Sequence, residues 1–95
     1  MTLFELTGFQ RDLLYVIAGE GRPSGQQIKD RIETDTGTEV THGRLYPNLD
    51  TLVNNDYVEK GQIDRRTNYY TLSEKGRDAI GSRRQWEDSY LPEEL

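Results

Sequence analysis

Between Thr41 and Asn55 the apolar side chains Leu45, Leu49, Leu52 and Val53 recur at i, i+4, i+7 and i+8, one stripe of an α-helix. Thr41 stands just ahead of it, where a hydroxyl can serve as the N-cap acceptor. At about 100° per residue, Gly43, Pro47 and Asn54 point away from the stripe, with Arg44 and Thr51 beside them. Such a helix buries one narrow side and leaves a slim, polar N-terminal half outside. That shape fits a groove about 12 Å wide, the width of the DNA major groove. Pro47 lies inside the helix, so a bend or a loosened first turn is expected: its ring removes one backbone hydrogen bond and disfavours helical geometry at Tyr46.

The rest of the chain has to mount this helix, and its composition limits how. Ninety-five residues make one domain with a small core that a second subunit would help to stabilise. The chain has no cysteine and one histidine, which excludes disulfides, thiolate zinc sites, a cysteine nucleophile and His-rich metal sites. No enzyme chemistry, metal or cofactor is therefore expected. Asp12, Glu20, Asp30, Glu33 and Asp35 are scattered without ligand spacing and read as a solvated acidic face. No apolar run approaches the roughly 18 residues of a membrane span, and no basic-then-apolar leader opens the chain. The expectation is a soluble, cytoplasmic protein that does not engage a membrane.

A net charge of −5 argues, taken alone, against nucleic acid. Its distribution argues differently. Residues 41–84 carry eight basic side chains against six acidic ones, whereas residues 1–40 carry four against seven, and residues 85–95 carry four acids and no base. The basic segment contains the grooved helix; the acids elsewhere can keep the chain soluble.

In chain order, Leu3, Phe4 and Leu6 open a short, partly apolar segment that either packs on a partner or frays. Thr7 caps a first helix to about Ala18, with Phe9, Leu13, Leu14, Val16 and Ile17 inward and Gly19 and Gly21 as stops. Ser24 and Gln27 fit a capping box for a second helix, with Ile28 and Ile32 inward, that ends near Gly37. The third helix spans about His42 to Asn55. Tyr57 to Ile63 reads as a strand, residues 64–67 as a turn, and Asn68 to Leu72 as the returning strand. Ser73 caps a fourth helix, whose spacing carries on to Trp86 and Tyr90 before Pro92. The fold class is thus α+β and mostly helical: a winged helix-turn-helix with a two-stranded β wing and a C-terminal helix. Residues 7–72 form the core with its wing, and residues 73–91 the last helix.

Arg44-Leu-Tyr-Pro-Asn-Leu-Asp-Thr-Leu, Asn55-Asp-Tyr-Val-Glu and Arg66-Thr-Asn-Tyr-Tyr-Thr-Leu-Ser-Glu-Lys-Gly-Arg77 follow in that order. Together they resemble the PadR family of transcriptional regulators. There the reader helix carries a Leu-Tyr-Pro-x-Leu element, and the second wing strand runs through Tyr-Tyr-x-Leu-Thr-x-Lys-Gly into the last helix. The resemblance covers about residues 9 to 80. It implies a homodimer on a pseudo-palindromic operator in double-stranded DNA, acting as a repressor, with dimer contacts from the C-terminal helix. The tail after that helix is short, so the chain resembles a compact member. The family also admits a small aromatic effector, which no residue here identifies. Nine arginines against three lysines, among many acids, resemble the composition of salt-loving, haloarchaeal organisms.

The candidate DNA contacts follow from helix and wing. Thr41, His42, Gly43 and Arg44 lie at the helix N-terminus, where base edges and phosphates are met; Arg44 is the residue matched to guanine. His42 reads equally as a surface residue, and Gly43 either permits close backbone approach or is merely tolerated. Tyr46 is a phosphate donor or a core-edge residue. Asn48 lies on the same half of the helix and completes the reader set. Arg65 and Arg66 at the wing tip suit phosphates or a minor groove. Of Tyr69 and Tyr70, one is expected inward and the other out. Leu3, Phe4, Ile80, Trp86 and Tyr90 are the candidate dimer contacts, because the last helix has too sparse a stripe to cover itself. Trp86 has two further readings: a platform for an aromatic ligand, or a cover for its own core. The alternative function is a winged-helix protein-interaction module without DNA binding, which the acidic total favours.

Overall fold

The computed structural model describes residues 3–95. A 3-10 turn, Leu3–Glu5, precedes helices α1 (Gly8–Glu20), α2 (Gly25–Thr36) and α3 (His42–Asn54). Strands β1 (Val58–Gln62) and β2 (Asn68–Leu72) follow, and then helix α4 (Glu74–Asp88). Each α-helix starts on a hydroxyl side chain in extended geometry: Thr7, Ser24, Thr41 and Ser73. Two of these caps are reciprocal. Thr7 accepts from the Gln10 amide at 3.1 Å while Gln10 Oε1 accepts from the Thr7 amide at 3.0 Å. Ser24 and Gln27 repeat the pattern at 3.1 and 2.8 Å. A cap of this kind contributes about 1 kcal/mol, which matters to short helices.

Helix α1 runs through Gly19 and stops at Gly21, where φ of 87° ends it. Helix α2 ends on Gly37 in the left-handed region, as expected. Helix α3 runs unbroken through Pro47 from His42 to Asn54. Only the bond to the Gly43 carbonyl is forfeited, and Gly43 is exposed, so water can serve that oxygen. The first turn is held by the Thr41 carbonyl, which accepts from both Arg44 at 3.1 Å and Leu45 at 2.9 Å.

The strands pair antiparallel, from Val58 opposite Leu72 to Gln62 opposite Asn68. Tyr57 does not start the sheet: its amide donates to the Leu52 carbonyl at 3.0 Å and its carbonyl accepts from the Ser73 amide at 3.1 Å. Its backbone groups therefore close the end of α3 and the start of α4. The turn there needs a left-handed residue, and Asp56 supplies it with φ of 65°. The other end of β1 stops at Gln62, one residue short of Ile63, which lies in the turn and is exposed.

The core gathers Leu13, Leu14 and Ile17 of α1, Ile28 and Ile32 of α2, and Leu45, Leu49 and Leu52 of α3, sealed by Val40, Tyr57, Val58, Tyr70 and Ala79. Val16, expected to be buried, is only partly so. Leu3 and Leu6 also belong to it, with Leu3 wholly buried. This corrects the reading of Leu3 as a dimer contact: its side chain is used within its own subunit. The N-terminal turn does not fray, because Arg11 Nη1 donates to the carbonyls of Leu3 at 3.2 Å and Leu6 at 2.8 Å. In addition, the Tyr57 hydroxyl donates to Glu5 at 2.5 Å. Ile80 likewise packs, partly buried, against the core, so it offers a partner little. Among the described residues no helix is long and apolar enough to cross a membrane.

Candidate nucleic-acid interface

The wing is fixed to the start of α2. The Tyr70 amide donates to the Pro23 carbonyl at 2.9 Å, and Ser24 pairs with Tyr69 as an isolated antiparallel bridge. Arg22 then covers the Tyr69 ring, its guanidinium carbon 4.1 Å from the centroid. As a result Ser24, Gly25 and Gln26, Tyr46 of α3, and Arg66, Thr67, Asn68 and Tyr70 of the wing line one concavity of about 270 Å³. Tyr70 is the inward tyrosine, and burial, followed by its neighbours Tyr46 and Asp50, raises its pKa. Tyr69 is the more exposed one, as strand alternation requires.

Tyr46 takes both of its alternative positions in part. Its ring lies on α2 and remains 38% exposed. The ring approaches so closely that a Cβ added to Gly25 would stand 2.5 Å from the hydroxyl oxygen. A side chain at position 25 would therefore have to push the end of the Tyr46 ring aside.

At the wing tip Asp64 accepts the Arg66 amide at 2.9 Å, an Asx turn that shapes the loop. Arg65 and Arg66 are both exposed, and among the described residues neither guanidinium is in an ion pair. The acids nearby in sequence do not neutralise them.

Along α3 the candidate readers separate. The Thr41 hydroxyl caps the helix by accepting from the Arg44 amide at 3.2 Å, so its first task is structural. His42 is exposed, its ring 5.8 Å from that of Tyr46. Gly43 is bare surface: an added Cβ would meet nothing nearer than Thr41 Oγ1 at 4.0 Å. Arg44 is exposed, with its guanidinium carbon 3.9 Å from the centroid of Phe9. Asn48 is placed differently from the expectation. It is half-buried, its Oδ1 accepts from Gln10 Nε2 at 2.9 Å, and its Nδ2 donates to the Arg44 carbonyl at 2.7 Å. Both ends of the amide are used inside the protein, one helical turn beyond Arg44 on the flank facing α1.

The helix ends add to the side chains. None of α1, α2 and α3 has an acid in its first turn, whereas α4 has Glu74. The first turn of α1 touches α3 through Phe9 and Gln10, and that of α2 touches it at Tyr46. The N-terminal half of α3 thus meets the first turns of α1 and α2, each end carrying a partial positive charge like its own.

A second surface is aromatic. Phe4 meets Trp86 edge-on at 4.9 Å, and Trp86 meets Tyr90 at 5.3 Å. Arg83 lies over Phe4 and Trp86 and pairs with Glu87 at 3.1 Å. Trp86, Tyr90 and Leu91 remain exposed around a shallow depression of about 560 Å³.

The contributions of Phe9, Gln10, Gly25 and Tyr70 escaped the sequence reading of the interface. Gln10 had a signal, since it stands three residues after the Thr7 cap. Its second bond, to a residue 38 positions away, had none.

The sequence profile of the transcriptional regulator PadR-like family matches residues 13–82. RosR of H. salinarum, grown from NaBr, is 47% identical with a TM-score of 0.86, over 92% of this chain and 78% of that one. F93 from STIV, a winged-helix DNA-binding protein, superposes with a TM-score of 0.74 at 15% identity, over 94% and 98% of the two chains. Streptococcus pneumoniae FabT in complex with DNA gives 0.71 at 19% identity, over 95% and 65%. The last two likenesses concern the fold. No curated protein matches in sequence. The profile spans all three segments quoted from the sequence. The chain belongs to the PadR-like family of transcriptional regulators, as a winged helix.

Proposed function

We propose that the protein is a sequence-specific DNA-binding repressor that acts as a homodimer on a pseudo-palindromic operator in the cytoplasm, its 95 residues forming one domain. One observation carries the reading: α3, the start of α2 and the wing tip border a single concavity, with Arg66 on its rim. A helix entering the major groove would bring that concavity against the flanking backbone, where the α2 amides and the Arg66 guanidinium suit a phosphate. Arg44, His42 and the bare Gly43 surface then face base edges, Tyr46 offers its hydroxyl to the backbone, and Thr41 and Asn48 hold the helix that carries them. Phe4, Trp86 and Tyr90 form the seam between two subunits, where apolar surface needs cover. Repression is steric: the bound dimer occupies DNA that polymerase requires. FabT and F93 bind DNA with the same fold, which supports the partner class.

Selection of bound fragments from random DNA, followed by affinity measurements at several salt concentrations, tests the reading. A selected palindrome with half-sites about one helical turn apart, and a steep loss of affinity with salt, are the expected results. Retention of no fragment at low salt would leave the interaction-module alternative in its place.

A further inference from the structure

Arg44 is the specificity residue of the proposed function, and what stands behind it lies on another helix. Phe9 and Gln10 are neighbours in the first turn of α1, and they hold the same segment of α3 in two ways. The Phe9 ring supports the Arg44 guanidinium at 3.9 Å. Gln10 Nε2 donates to Asn48 Oδ1 at 2.9 Å, and Asn48 Nδ2 passes the restraint to the Arg44 carbonyl at 2.7 Å. Gln10 itself is oriented from its other end, where Oε1 accepts from the Thr7 amide at 3.0 Å. The side chain and the carbonyl of Arg44 thus both have a contact that traces back to α1, beside the Thr41 bonds that hold its amide.

The ring contact does not use up the chemistry of Arg44. A cation–π contact draws on the charge of the guanidinium and leaves most of its five N–H donors for other partners. Among the described residues no carboxylate pairs with those donors, and the side chain is exposed. An arginine with a restrained rotamer and open donors is prepared for bidentate contact with a guanine edge, because less side-chain freedom is lost on binding.

We infer that Phe9 and Gln10 are positioning residues for base reading: they set Arg44 without touching DNA themselves. The inference rests on the DNA-binding reading above and goes beyond it by assigning part of the specificity to α1. Two full-length variants isolate the effect. Phe9→Leu keeps an apolar side chain against the core and removes the stacking face. Gln10→Glu keeps the acceptor that caps α1 and removes the donor to Asn48. Because the added carboxylate can pair with Arg44, Asn48→Ala, which breaks the same bond without a charge, is measured beside it.

The measurement is the affinity ratio of selected operator to random DNA, with helix content and melting temperature recorded in parallel. Each variant is expected to fold like the parent and to lower the ratio about fivefold, the scale of one immobilised side chain. The loss should be confined to the base pair that Arg44→Ala relaxes. In the Arg44→Ala background, Phe9→Leu should have no further effect on the ratio. A ratio unchanged in both variants, while Arg44→Ala lowers it, overturns the positioning role and leaves the DNA reading standing. A parent protein that does not bind DNA removes both. If Phe9→Leu fails to fold, Gln10→Glu and Asn48→Ala decide by the same ratio.

Discussion

Single residues set close tolerances at three places. A Cβ at position 25 would meet the end of the Tyr46 ring, which is 38% exposed and can turn outward, so Gly25→Ala is expected to displace that ring. The cost in urea unfolding should be about 1 kcal/mol, the low end for overpacked sites. Asp56 holds a left-handed turn at φ of 65°. A β-branched residue tolerates that conformation poorly, so Asp56→Val should lower stability by about 1–2 kcal/mol while Asp56→Gly should not. The Tyr57 hydroxyl is buried and bonded to Glu5, and burial first, then that bond and the carboxylate charge, push its pKa from 10.0 to about 12. The raised value means that the folded state holds its proton more tightly than the unfolded chain does. The associated stability is complete below pH 10 and is lost as pH rises from about 10 to about 12. Melting temperatures across that range should show the fall in the parent and a weaker one in Tyr57→Phe.

Elements were legible to the degree that their signals were local. The four caps, the left-handed Gly37 and the strand β2 all depend on side chains within a few residues, and all stand where the pattern put them. The tertiary tasks were hidden because their partners are far apart in the chain. Leu3 looked like a loose end but is held by Arg11 and covered by the core. Asn48 was grouped with the readers, yet its amide is bonded to Gln10 of α1, 38 positions away. The wing is the element whose contribution can be removed most cleanly, since Arg65 and Arg66 lie at an exposed tip shaped by Asp64. Replacing both with alanine should weaken binding to operator and random DNA equally. The slope of log affinity against log salt should become shallower by about 1 for each phosphate that the wing no longer neutralises. A change confined to one base pair would instead give the wing a reading role.

At the scale of the whole molecule, the proposed pairing and the uneven charge act together. Trp86→Glu should place a charge in the aromatic seam and yield monomers in sedimentation experiments, with operator affinity falling much further than affinity for a single half-site. Dimers that persist in this variant would move the seam elsewhere. The bare helix ends carry a separate consequence. With a pI near 4.8, the protein is expected to adhere to an anion-exchange resin. The amide ends of α1, α2 and α3 are counted in no isoelectric point, however, and their partial positive charge adds to that of Arg44, Arg65 and Arg66, none of which is in an ion pair among the described residues. The same protein should therefore also be held by heparin. An acidic chain that elutes late from both columns has hidden its cationic side in its backbone.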